Sequence, residues 1–116
     1  MLEKPAFIQG LFSYRGCGLG NPISLQPPAT YVVPSDKRAQ TIYVRLGNAA
    51  AEMIYLVLTR NGKPMRYFPV GAKGAIHVPL AVLEELSPES RIEVLVAAPE
   101  GVQSTVVMDA GFVEIA

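Results

Sequence analysis

The sequence predicts an all-β domain: an antiparallel sandwich with one short helical turn and an N-terminal arm. Three observations point there. Short apolar runs alternate with polar residues, and ten glycines and ten prolines punctuate them. Half of the 116 residues are hydrophobic, and a single domain of this size buries roughly two-thirds of its unfolded surface without covalent staples. The only cysteine, Cys17, rules out an internal disulfide.

The chain divides into an arm, residues 1–39, packed on the domain or on a neighbour, and a sandwich, residues 40–116. In the arm, Ala6 to Tyr14 reads as a strand with Gly10 placed for a bulge. Gly16-Cys17-Gly18-Leu19-Gly20-Asn21-Pro22 is loop by composition. Pro27, Pro28 and Pro34 interrupt regular structure and leave Thr30 to Val33 as a short edge strand. From Gln40 the pattern becomes regular. Ile42, Val44 and Leu46 alternate with Tyr43 and Arg45, a half-buried strand. Glu52 to Arg60 is apolar on both faces: Ile54, Leu56 and Leu58 line one, and Met53, Tyr55 and Val57 the other. Such a strand is central and covered, or lies at an interface.

Asn61-Gly62 is the strongest turn signal, because both residues accept the positive φ of a two-residue hairpin. The return strand carries Pro64 and Pro69, which cannot donate to a ladder, so it is an edge strand. Ala75 to Val78 follows. Pro79 to Leu86 supplies the helical turn, with leucines at 80, 83 and 86 and Pro88 as its stop. Arg91 to Ala98 points Ile92, Val94 and Val96 inward. Ser104 to Asp109 and Gly111 to Ile115 close the chain as one bent strand or two short ones.

Leu86, Pro88, Ser90, Val94, Val96 and Ala98 sit at the offsets of a segment that resembles fibronectin type III domains, where the chain crosses between sheets. The resemblance implies an immunoglobulin-like sandwich and little about function. Pro88 stiffens the corner and Ser90 can bond back to the backbone. Ile92 replaces the corner tyrosine, and the chain has no tryptophan to match the one in that family's core.

Net charge is zero, which argues against general nucleic-acid or membrane-surface binding. Residues 1–73 nevertheless carry +6 and residues 74–116 carry −6. Either copies or partners complement one another, or strands of the two halves interleave and the asymmetry cancels in space. No segment is long and apolar enough for a membrane helix, and the N-terminus lacks a signal-peptide pattern, so the cytoplasm is the expected location.

Chemistry-bearing residues are few. The Gly16, Cys17, Gly18, Gly20 loop is a candidate for a small ligand or anion, but no helix pattern follows it to supply a phosphate-binding dipole. His77 is flanked by Ile76 and Val78 on a strand, so it points away from the core. A Cys17/His77 pair lacks an orienting third group, and one His with one Cys makes no structural metal site. No catalytic residue, metal or cofactor is expected. Arg60, Lys63, Arg66 and Tyr67 make a basic aromatic hairpin, suited to edge protection more than to a nucleic-acid strand.

The charge fraction of 17% is below the ~25% of ordinary soluble domains. Some apolar surface is therefore expected to be covered, with Phe7, Phe12, Met53, Tyr55 and Val57 as interface candidates. The expected function is a non-catalytic interaction or assembly module, self-associating or with a protein partner. The alternatives are a small-ligand or carbohydrate-binding module, for which Tyr31, Tyr43, Tyr55, Tyr67 and Phe68 are the available aromatics, and an accessory subunit of a larger enzyme.

Overall fold

The computed structural model describes residues 3–80 and 85–116. Among them are nine strands and no helix: β1 (Glu3–Arg15), β2 (Ile23–Val32), β3 (Arg38–Asn48), β4 (Ile54–Arg60), β5 (Lys63–Val70), β6 (Ala75–Pro79), β7 (Glu85–Leu86), β8 (Arg91–Ala97) and β9 (Gln103–Ile115). All ladders are antiparallel. Sheet I has the order β1-β9-β3-β6, with β7 also on β3; sheet II has the order β5-β4-β8-β2. The sheets touch at one register position, Ser13 opposite Gln26.

The antiparallel sandwich is thus present. With the two-residue β7 set aside, the first strand lies beside the last, then the third and the sixth. That is the jelly-roll order, with two Greek keys, and it differs from the immunoglobulin order. The segment resembling fibronectin type III keeps its inward pattern: Leu86, Ser90, Val94, Val96 and Ala98 are buried. The Ser90 hydroxyl meets the Ser87 hydroxyl at 3.0 Å rather than the backbone.

Alternating strands place one apolar row from each sheet in a shared core: Ile8, Phe12, Val44, Leu46, Val106, Met108 and Phe112 from sheet I, and Leu25, Ile54, Leu56, Leu58, Phe68, Val94 and Val96 from sheet II. Tyr31 bridges the layers. Its ring stacks on Phe112 with centroids 4.6 Å apart, and its hydroxyl donates to Glu114 Oε2 at 2.6 Å. Burial, and then the Glu114 carboxylate, push the Tyr31 phenol well above its usual range.

Several expectations are corrected. Gly10 makes no bulge, because β1 pairs with β9 in unbroken register from Glu3 to Arg15. The bulge lies instead at Ile42 in β3, between Thr41 and Tyr43. The extra residue shifts the phase, so Val44 and Leu46 point inward while Ile42 faces solvent. Half of the expected helical turn, residues 81–84, lies outside the described residues. At its described ends, Pro79 closes β6 and Glu85-Leu86 pair with β3 as strand, since Leu86 is needed in the core. Phe12 and Val57, taken as interface candidates, are buried within the chain.

The hairpin follows its sequence signal. Asn61 and Gly62 have φ of 50° and 83°, and β5 pairs with β4 alone. The opposite charges of the two halves interleave: β9 lies between β1 and β3, and β8 between β2 and β4.

Candidate functional site

The outer face of sheet I is ordered in rows by its register. One row runs Gln9, Asp109, Arg45, His77 across β1, β9, β3 and β6. The row on one side is Leu11, Val107, Gly47, Ala75; on the other it is Phe7, Gly111, Tyr43, Pro79. The polar row is therefore flanked by small and apolar residues.

Tyr43 organises the polar row. Its ring lies flat across Gly111, where a Cβ would stand 2.2 Å from Tyr43 Cε2, so only glycine admits it. The Tyr43 hydroxyl donates to Asp109 Oδ1 at 2.9 Å, and Gln9 Nε2 donates to the same oxygen at 3.1 Å. The His77 ring meets the Tyr43 ring edge-on at 6.0 Å, and the Arg45 guanidinium carbon lies 5.2 Å from the ring centroid. Desolvation, and then the Asp109 carboxylate, raise the Tyr43 phenol above its ordinary value, so it remains a proton donor.

Beside this cluster is an open trough of about 430 Å³. Gly47 and Ala75 floor it, Val107 stands on one side, and Arg45 and Asp109 stand on the other. Nothing lies within 4 Å of where a Gly47 side chain would start. One end is pinned by buried Asn48. Its Nδ2 donates to the carbonyls of Glu52 and Gly71, each at 3.0 Å, and its Oδ1 accepts from the Ala50 N–H. The floor is thus a paired sheet with a fixed end, and two small residues on neighbouring strands make the depression.

The other candidates lie elsewhere. Phe7 is half exposed on this same outer face. Tyr55 and Tyr67 are on the outer face of sheet II, with centroids 5.9 Å apart. The Tyr55 hydroxyl donates to the Leu19 carbonyl, which draws the 16–22 loop against that face. Val57 beneath them is 1% exposed, Tyr67 is 59% exposed, and Met53 is exposed just before β4. Phe68 is in the core and Tyr31 lies between the sheets, so the five aromatics form no single platform.

In the glycine loop, the N–H groups of Gly16 and Gly18 donate to the carbonyls of Val102 and Ala98. A Cβ on Gly16 would stand 2.3 Å from the Pro99 carbonyl oxygen. Those glycines pack the loop against the 98–102 turn. Cys17, exposed in that loop, is far along the fold from His77, whose ring contact is Tyr43. At the basic hairpin, Arg60 Nη2 donates to Ser87 Oγ at 2.9 Å. Asn61 Oδ1 accepts from the Arg91 N–H, which ties the tip to β8.

Sequence reasoning named Tyr43 and His77 but not Gln9, Arg45, Gly47, Ala75, Asp109 or Gly111. The available signal was their place at outward positions of alternating strands. What it lacked was the pairing of β1 with β9, about a hundred positions apart in the chain.

No family model matches the chain, and no curated protein matches its sequence. Solved structures do match its fold. The CBM36-1 domain of a multidomain xylanase from the hindgut metagenome of Trinervitermes trinervoides superposes with a TM-score of 0.61 at 14% identity, over 97% of this chain and 98% of that one. At that identity the likeness is one of fold: a β-sandwich of jelly-roll type. Two larger structures are matched over about a third of their length. These are infectious bursal disease virus Gx strain (TM-score 0.48, 11% identity, 99% of this chain and 33% of that one) and exo-β-1,3-galactanase from Phanerochaete chrysosporium with galactose (TM-score 0.41, 13% identity, 99% and 30%).

Proposed function

We propose that this protein is a non-catalytic binding module that takes a saccharide in the trough on the outer face of sheet I. The observation that carries the reading is the Tyr43, Asp109, Gln9, Arg45 cluster beside an open depression floored by Gly47 and Ala75. Sugars present hydroxyls that both donate and accept, and C–H faces that pack on apolar side chains. Asp109 supplies acceptors, Arg45 and Gln9 supply donors, and Val107 and Leu11 supply apolar contact. That a carbohydrate-binding module of a xylanase shares the fold supports the reading. Cys17 and His77, set apart in the fold, give no reason to invoke catalysis.

Gly47→Leu tests it. Nothing lies within 4 Å of where the new side chain would start, so leucine enters the trough rather than the core. Binding on a saccharide array should be lost in Gly47→Leu and in Asp109→Ala, with the melting temperature of Gly47→Leu retained. Array binding that survives both changes would reject the trough as the site.

A second reading is association through the outer face of sheet II, favoured by the exposure of Tyr67, Met53 and Leu19 around Tyr55. In that reading light scattering gives a dimer or larger, and Tyr67→Ser with Met53→Ser returns it to a monomer. A parent protein that is monomeric across the micromolar range excludes it.

A further inference from the structure

Arg45 and Asp109 are direct cross-strand partners, the position at which opposite charges ordinarily pair. Here they do not: the ion pair found among the described residues joins Arg38 to Glu85 instead. Asp109 turns one oxygen to two neutral donors, Tyr43 and Gln9, and not to Arg45. Arg45 is held over the Tyr43 ring, and among the described residues no carboxylate or carbonyl accepts from its guanidinium. Its contact is a ring face, which orients a guanidinium but uses none of its N–H groups. The molecule thus carries a positioned, solvent-facing five-donor fork, with no protein acceptor among the described residues, on the wall of an open trough.

We infer that the trough reads an acidic sugar: Arg45 pairs with the carboxylate of a hexuronate unit while Asp109 accepts a hydroxyl of the same ring. This rests on the saccharide reading of the same site and adds the charge of the ligand to it. A carboxylate matches the planar fork of arginine with two parallel hydrogen bonds, which a lone hydroxyl cannot do. The second oxygen of Asp109 has no protein donor and remains for a hydroxyl. The same Asp109 charge, one residue across the ladder, disfavours a doubly charged group in that place. This selects carboxylate over phosphate monoester. His77, opposite Arg45 on β6, faces the same row and adds no competing acidic group.

The test uses the full chain and three oligouronates, of galacturonate, glucuronate and mannuronate, each with its methyl ester, measured by calorimetry at low salt. The ester keeps every hydroxyl and removes the charge. The free acid of at least one sugar should bind about tenfold or more tighter than its ester, the difference expected of a charged hydrogen-bonded pair. Arg45→Gln should remove the acid's advantage, costing the acid about tenfold more affinity than it costs the ester, while Arg45→Lys should restore only part of the difference. Acid and ester binding equally, or Arg45→Gln weakening both alike, would overturn the acidic assignment and leave the saccharide reading standing. If no acid, no ester and no neutral oligosaccharide binds in a manner lost with Gly47→Leu, both fall.

Discussion

The outer faces of the two sheets are built from the same alternating pattern and end in opposite states. On sheet II the outward residue Val57 is as buried as the core, because Tyr55 and Tyr67 lie near it and the Leu19 loop is tied to Tyr55. On sheet I the outward residue Val107 is 61% exposed and borders the open trough. An outward position is therefore not a solvent position. What decides is whether large side chains and a loop close over the row, or whether glycine and alanine leave it open.

The sharpest test of that contrast is one charge placed on each face. Val57→Asp should cost about 3 kcal/mol or more, since it buries an unpaired carboxylate. Val107→Asp should change stability by no more than about 0.5 kcal/mol, as surface substitutions do. Urea unfolding of both variants measures this. Similar losses would mean that the two faces are covered alike, either by the chain or by a second copy.

Next in size is Gly111→Ala. The added methyl meets the Tyr43 ring, so a loss of about 1–3 kcal/mol is expected from overpacking. In a Tyr43→Ala background the same change should cost at least about 1 kcal/mol less, because the clashing ring is gone. Equal costs in both backgrounds would show that the ring does not depend on Gly111.

Two further glycines separate backbone need from open space. Gly62 has φ of 83°, and Gly62→Val should lose about 1 kcal/mol or more, because a β-branched residue resists that conformation. Gly47 lies in a strand with nothing near its missing side chain, so Gly47→Val should be neutral or stabilising by up to about 1 kcal/mol. Thermal midpoints decide, and a Gly62→Val protein as stable as the parent would contradict the turn's geometry.

The sequence made the hairpin legible because its determinants are local: Asn61 and Gly62 dictate φ, and Pro64 and Pro69 forbid a second ladder. The inward row of β8 was legible for the same reason, as alternation alone sorts Ile92, Val94 and Val96. Strand order was not local. Nothing in Glu3 to Arg15 says that its partner is Gln103 to Ile115, and that pairing turned a presumed arm into a strand between β2 and β9. The bulge at Ile42 was invisible too, since Ile42 fits the alternation that the bulge breaks. The candidate site inherits both gaps. Its residues come from four strands, and only register puts Gln9, Asp109, Arg45 and His77 in one row.

The smallest effect is silent at neutral pH and compares a tyrosine between the sheets with one on the open face. Tyr31 and Tyr43 both have phenols raised above the unfolded value of 10.0. For such a group the unfolded chain loses its proton first. The stability it contributes is fully present below pH 10 and is lost as pH rises from there toward the folded value. Denaturant midpoints should therefore hold steady up to about pH 9 and fall above pH 10. Tyr31 is pushed further than Tyr43, chiefly by burial against Phe112 and then by Glu114. Tyr31→Phe should flatten the alkaline limb more than Tyr43→Phe does. All other groups are common to the three proteins, so the differences between their slopes isolate the tyrosines. A Tyr31→Phe protein whose midpoint falls between pH 10 and 11 as steeply as the parent's would remove Tyr31 from the account.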